Sequence, residues 1–301
     1  MLNPDRLKSL FFTDMYGGIR QAADVLEMSA SSVSRQIARL EEEIGLTLIE
    51  RHGRNVRLTE VGLALCEYYR NQRSADLQLQ ARMDEFRGMQ RGMIRLSIGE
   101  GFSEWVVNNP LRAFQKHFPG ITLDVMLHPT SESVRAILED EADIGVTYFA
   151  PNDRHLKFHA KSDVPICAVV RREHPLTTLG RLPKLADVVS YPIALLHDDY
   201  GGRQITDIIA RSENIVLRPA LTSNSYRVAR KFALIGDGVF IMPHRTSPQR
   251  ELEDELVPLP LDYAATIPSQ TQIITRADRY LTNSTLTLIR FMIDTGEFDS
   301  I

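Results

Sequence analysis

Cysteine is scarce in this 301-residue chain: Cys66 and Cys167 stand far apart, each among apolar neighbours. That spacing excludes a disulfide framework or a cysteine-based zinc cluster, and buried free thiols are expected. Lysine is scarce too, six residues against 29 arginines. Arginine is the side chain suited to bidentate contacts with phosphate and guanine. No apolar run approaches the roughly 20 residues of a bilayer span. The start, "MLNPDRLKSLFF", has no basic leader followed by an apolar region and cleavage site, so no membrane partner and a cytoplasmic location are expected. G-x-S-x-G and H-E-x-x-H are absent, and "GEGFSEW" lacks the third glycine and the Lys-Ser/Thr ending of a phosphate loop. The eight histidines are scattered. No catalytic residue, metal or cofactor is therefore expected, and the chain does not read as an enzyme. Its formal charge of −4 gives no global pull toward nucleic acid, so any such contact must come from local placement.

The length predicts two or more cores. In "NPDRLKSLFFTDMY", Asn3 can cap a helix with Pro4 in its first position, and Leu7, Leu10, Phe11 and Met15 recur at helical spacing. Gly17 and Gly18 break it. "IRQAADVLEM" puts Ile19, Ala22, Ala23 and Leu26 on one side of a helix of about two turns. Ser29 then caps a further helix whose Val33, Ile37, Leu40 and Ile44 form one buried stripe, leaving Ser31, Ser32, Ser34, Arg35 and Arg39 largely off it. Two short helices joined by a tight link, the second starting with small polar residues, make a helix-turn-helix. Its second helix suits the major groove, where serines let the backbone approach base edges and Arg35 reaches guanine or phosphate. The same pattern also suits a solvated helix whose arginines pair with Glu41 to Glu43. "LIERHGRNVRLT" reads as a hairpin wing carrying Arg51, Arg54 and Arg57, placed for phosphate or minor-groove contact.

From Thr59 to about Gln90 a long helix is predicted. Val61, Leu65, Tyr68, Gln72, Ala75, Leu79, Phe86 and Met89 form a heptad-like seam, interrupted by Gln72 and Arg82. The seam suits a dimer helix that holds two reading heads about one DNA turn apart, although it would also suit packing on a second domain.

The run "RQAADVLEMSASSVSRQIARLEEEIGLTLIERHGRNVRLTEVG" resembles the winged helix-turn-helix of LysR-type transcriptional regulators. The match rests on the paired alanines, S-x-x-x-V-S-R-Q-I, L-E-x-x-I-G, L-x-E-R and R-L-T-x-x-G in order and spacing. It departs at Ala30 and Ser31, where the family commonly has Gln and Pro. The resemblance implies double-stranded DNA as partner, with Ser31, Ser32, Ser34, Arg35 and Arg39 in the major groove and Arg51, Arg54 and Arg57 on the wing. It further implies a linker helix that makes dimers, and tetramers built from two dimers.

Past "GMQRGM" the texture changes. "MIRLSIG", "ITLDVML" and "DIGVTY" read as strands alternating with helices "EWVVNNPLRAFQKHF" and "SESVRAILED", a βαβ rhythm that predicts a largely parallel sheet. A second set begins near "PICAVVRR" and includes "YPIALL", "GGRQITDIIARS" and "GVFIMP"; "SQTQIIT" and "STLTLIRFMIDTG" are placed back in the first lobe. Two lobes joined by two crossings leave a cleft between them for a ligand. The expected organisation is α/β overall: a winged helix-turn-helix over 1–58, a linker helix over 59–91 and a two-lobed domain over 92–301. Lobe I takes about 92–162 and 267–301, lobe II about 163–266.

"LRAFQKHFPGITLDV", "ILEDEADIGV", "HPL" and "ALIGDGVFIMP" resemble the effector domain of the same family, similar in fold to type 2 periplasmic binding proteins. The resemblance places a small-molecule effector between the lobes. Carried over by position, its contacts are Glu100, Phe102 and Ser103, then Thr130 and Ser131, Tyr148, Asp198, Tyr200 and Gly202, and Val239. Ser103 at a helix start could offer N–H groups to a carboxylate. Glu100, Asp198 and Asp199 favour instead an amine or amino acid, with Trp105, Tyr148 or Tyr200 as aromatic partners, unless these acids are only solvated loop residues. A two-lobed binding protein or enzyme without a regulatory role is the alternative, but it leaves the reading head unexplained.

Overall fold

The computed structural model describes residues 2–52, 55–86, 92–244, 255–264, 267, 269–296 and 298–300, and the chain forms two compact units that divide between Met83 and Asp84.

The first unit opens with helices α1 (Pro4–Met15), α2 (Ile19–Val25) and α3 (Ala30–Ile44). Asn3 Oδ1 accepts from the backbone N–H groups of Asp5 and Arg6 and so caps α1. Ala22 and Ala23 are buried, and their small side chains let α2 sit against the other two helices. Val33, Ile37 and Leu40 of α3 are wholly buried with Leu7, Leu10 and Phe11 of α1. Gly45, at φ 75°, ends α3 in the left-handed conformation that a glycine adopts without strain. Strands β1 (Ile49–His52) and β2 (Asn55–Leu58) pair antiparallel, with Ile49 opposite Leu58. Helix α4 (Glu60–Phe86) follows. Thr59 Oγ1 accepts from Gly62 N–H at 3.1 Å. A Cβ on Gly62 would stand 2.3 Å from the Leu48 carbonyl oxygen, so the glycine of R-L-T-x-x-G is what lets α4 lie against the wing.

The second unit carries two mixed sheets. Its elements are β3 (Gly92–Ile98), α5 (Ser103–Val106), α6 (Arg112–His117), β4 (Ile121–Leu127), α7 (Thr130–Leu138), β5 (Ile144–Tyr148), β6 (Leu156–Asp163), β7 (Ile166–Arg171), α8 (Leu185–Val188), β8 (Ile193–Leu196), α9 (Gly201–Ser212), β9 (Leu221–Ser223), α10 (Tyr226–Phe232), β10 (Val239–Pro243), β11 (Leu256–Pro260), β12 (Gln270–Arg276), α11 (Asn283–Gly296) and β13 (Asp299–Ser300). One sheet has the order β13-β6-β12-β5-β3-β4 and the other β11-β7-β10-β8-β9. The chain therefore leaves the first lobe after β6 and re-enters it at β12.

Neither sheet is largely parallel, as the βαβ rhythm had suggested. Only β3, β4 and β5, and then β8, β9 and β10, pair parallel. The strands that enter or leave each lobe pair antiparallel instead, because they run from one lobe to the other without a crossover helix. The helix expected over 104–118 is also interrupted, by a wide π turn over Val107–Leu111. Pro110 within it has no N–H to continue the i→i−4 ladder.

Each lobe buries its own apolar cluster. In the first lobe Asp140 and Asp143, both buried, hold Arg276, Arg279 and Arg95 in one ionic network. It ties the turn after α7 to the turn after β12 and to the start of β3. Cys66 and Cys167 are buried free thiols, and burial raises each to about 12. Among the described residues no helix is long and apolar enough to cross a membrane.

Candidate DNA-reading head and effector cleft

The serine cluster at the start of α3 is tied together. Ser29 Oγ accepts from Ser32 N–H at 3.1 Å and lies 2.9 Å from Ser31 Oγ and 2.8 Å from Ser32 Oγ. Ser31, Arg35 and Arg39 are exposed, while Ser32 and Ser34 are half-buried. Two of the three acids Glu41 to Glu43 are committed elsewhere. Glu41 Oε1 accepts from the N–H groups of Leu48 and Ile49 at 2.8 and 3.3 Å, fixing the approach to the wing, and Glu43 pairs with Arg6 of α1 at 2.9 Å. The outer face of α3 therefore presents cationic side chains and small hydroxyls together, and Arg57 on β2 is exposed as well. Arg54 lies outside the described residues, as does the side chain of Arg51.

In the second unit the loop after β3, the start of α7, the end of β5 and the loops before α9 and α10 converge between the lobes. Several side chains expected to face a ligand are instead spent joining the lobes. Glu100 Oε2 accepts from Tyr226 N–H at 2.7 Å, and its Oε1 faces Arg227 N–H and the Ser225 hydroxyl, each at 3.4 Å. The reason is the start of α10, where uncapped N–H groups attract a carboxylate. Thr130 is buried, and its hydroxyl donates to the Tyr148 carbonyl at 2.9 Å and accepts from Gly201 N–H at 3.1 Å. Ser131 N–H reaches the Asp199 carbonyl at 3.4 Å.

Tyr148 is buried among apolar residues of the second lobe. Its hydroxyl donates to the Val164 carbonyl at 2.9 Å and meets the Ser269 hydroxyl, so it binds both crossings rather than a ligand. Burial pushes that phenol well above its ordinary range. The Ser103 hydroxyl is committed locally, donating to the Glu100 carbonyl at 2.7 Å across the single 3-10 turn over Glu100–Phe102 that precedes α5. Gly202 packs so tightly that a Cβ there would stand 2.4 Å from Pro243 Cδ, and Val239 is wholly buried in the second lobe's core.

Phe102, Ser131, Asp198, Asp199 and Tyr200 remain around the cleft. Phe102 is half-buried and packs against the cores of both lobes. Tyr200 donates to the Asn224 carbonyl at 2.7 Å, and its phenol is raised by burial and then by the nearby charges of Asp199 and Glu100. Asp199 Oδ1 is buried with no hydrogen-bond partner. Trp105 stands apart from this group, its indole N–H bonded to the Thr295 carbonyl at 3.0 Å and its ring against Phe298. Sequence reasoning missed Ser225, Tyr226 and Ser269, which act through backbone or a single hydroxyl and leave no pattern in the chain. The consecutive glycines at 201 and 202 were the one available signal of close approach at the lobe contact.

A winged reading head joined to a two-lobed α/β unit with an interlobe cleft defines a ligand-sensing DNA-binding regulator. Residues 6–63 match the bacterial regulatory helix-turn-helix protein, lysR family, and residues 87–297 match the LysR substrate binding domain. The chain belongs to the LysR family: it is a transcriptional regulator that binds DNA and senses a small-molecule effector, and it is not an enzyme. It is 23% identical over 271 residues to the HTH-type transcriptional regulator CysB of Haemophilus influenzae, covering 88% of this chain and 81% of that one. Its fold is similar to that of full-length CbnR complexed with its target DNA, at 18% identity and TM-score 0.52, covering 97% of this chain and 99% of that one. It is also similar to the effector binding domain of QuiR in complex with shikimate, at 17% identity and TM-score 0.57, covering 69% of this chain and 98% of that one.

Proposed function

We propose that α3 reads the major groove through Ser31, Ser32, Ser34, Arg35 and Arg39, while Arg51, Arg54 and Arg57 follow the backbone or minor groove from the wing. The observation that supports this is the cationic face of α3, whose neighbouring acids Glu41 and Glu43 are engaged elsewhere. Residues 1–58 act as the head and 59–91 as the linker. Tyr68 and Leu79 of the expected seam are exposed apolar residues on α4, and they supply the line along which two linkers pair. Val61 and Leu65, the first residues of the expected seam, belong instead to the core of the head. Dimers then associate into tetramers.

The effector is an amine or amino acid held between the lobes of residues 92–301 by Asp198, Asp199, Tyr200, Phe102 and Ser131. The buried, unpartnered Asp199 Oδ1 favours a ligand that carries an N–H donor, since an uncompensated buried carboxylate oxygen is costly. Closure of the lobes on this ligand passes through the linker to the heads. A thermal-shift screen of the full chain against separate pools of amines, amino acids and carboxylic acids tests the reading. A saturable rise with amines or amino acids, lost in Asp199→Asn, supports it. A rise with carboxylic acids alone overturns it.

A further inference from the structure

Helix α10 has its cap in the other lobe. Ser225 precedes α10 and is a residue type that commonly caps helices, yet its side chain makes no capping bond within the helix. The acceptor comes from Glu100, which precedes Tyr226 by 126 positions and stands in the loop after β3 of the opposite lobe. By contrast, α1 and α3 are capped by the residues just before them, Asn3 and Ser29. The Glu100 carboxylate takes the Tyr226 N–H at 2.7 Å and faces the Arg227 N–H and the Ser225 hydroxyl at 3.4 Å each. A charged acceptor in such a seat forms stronger bonds than a neutral one, and it is favoured by the partial positive charge at a helix start.

The rest of the contact supports the same conclusion. Gly101 stands beside α10, where a Cβ would meet the Tyr226 ring at 3.4 Å, an ordinary contact distance. Phe102, the next residue, packs on the cores of both lobes. Three consecutive residues of the first lobe therefore stand against the second. The Thr130–Gly201 bridge is a separate contact at the start of α9.

We propose that Glu100 is a resident carboxylate that latches the two lobes together across the cleft by capping α10 from the opposite lobe. The latch is a contact between the lobes that needs no effector, and it leaves the remaining closure to the ligand. This inference rests on the cleft being the effector site, but not on the effector's identity.

Hydrogen exchange measured by mass spectrometry on the full chain tests it without any effector. In Glu100→Ala the amides of 226–229 should exchange roughly tenfold faster than in the wild type, the factor that loss of a helix cap carries. Glu100→Gln, which keeps an acceptor but not the charge, should fall between the two. Unaltered exchange in Glu100→Ala overturns the latch. Faster exchange throughout both lobes in both variants would reduce Glu100 to a general structural residue. Because no amine or amino acid is added, this outcome is independent of the thermal-shift screen.

Discussion

Gly201 and Tyr148 meet backbone to backbone: a Cβ built on Gly201 would stand 1.8 Å from the Tyr148 carbonyl oxygen. That oxygen also accepts the Thr130 hydroxyl, which in turn accepts Gly201 N–H. The start of α9 is thus docked on the end of β5 with no room for a side chain. Gly201→Ala should push the lobes apart and destabilise the second unit by about 1–3 kcal/mol, the usual cost of overpacking. Thermal melting would show a lowered midpoint, and small-angle scattering a larger effector unit. A melt identical to the wild type would mean that the lobes do not dock through this contact.

Arg35 and Arg57 are expected to fail differently. Arg35→Ala should cost about 1–3 kcal/mol of specific binding and relax discrimination at one base pair, as loss of a bidentate base contact does. Arg57→Ala should weaken all sequences alike and reduce the slope of log K against log salt by about one. Titrations at several salt concentrations separate the two. Equal affinity and an unchanged footprint for Arg35→Ala would remove it from the reading face.

On α4, Leu79 is 61% exposed. Leu79→Asp should shift the chain toward monomer in sedimentation, and DNA binding should then require higher protein concentration. An unchanged sedimentation profile would place the self-association surface elsewhere.

His159 on β6 is held down to about 4, first by burial and then by the charge of Lys157, and its Nε2 lies 2.9 Å from Thr275 Oγ1. Burial lowers His174 as well, against the smaller opposing effect of Asp237. Since the unfolded imidazole titrates near 6.5, the unfolded chain binds more protons below that pH. The stability contributed by neutral His159 is therefore complete above about 6.5 and is lost as pH falls toward about 4. His159→Gln should flatten the fall in melting temperature over this window. Parallel curves for variant and wild type would show that His159 does not contribute to it.

What the chain alone determined is what local spacing encodes. The stripe of Val33, Ile37 and Leu40 recurs within one helix, and the caps at Asn3 and Ser29 sit beside the N–H groups they accept. The alternation of strands and helices after residue 92 is local in the same way, and the ordered motifs from the paired alanines to Gly62 carried the family. Tertiary structure alone decided which polar groups remain for a ligand. Glu100, Thr130 and Tyr148 look free along the chain, but each finds a partner at least 16 positions away, on another strand or in the other lobe. The physical reason is that polar groups brought together and buried must satisfy one another. Lobe docking does this by recruiting backbone N–H and carbonyl groups, which carry no residue identity for a sequence to reveal.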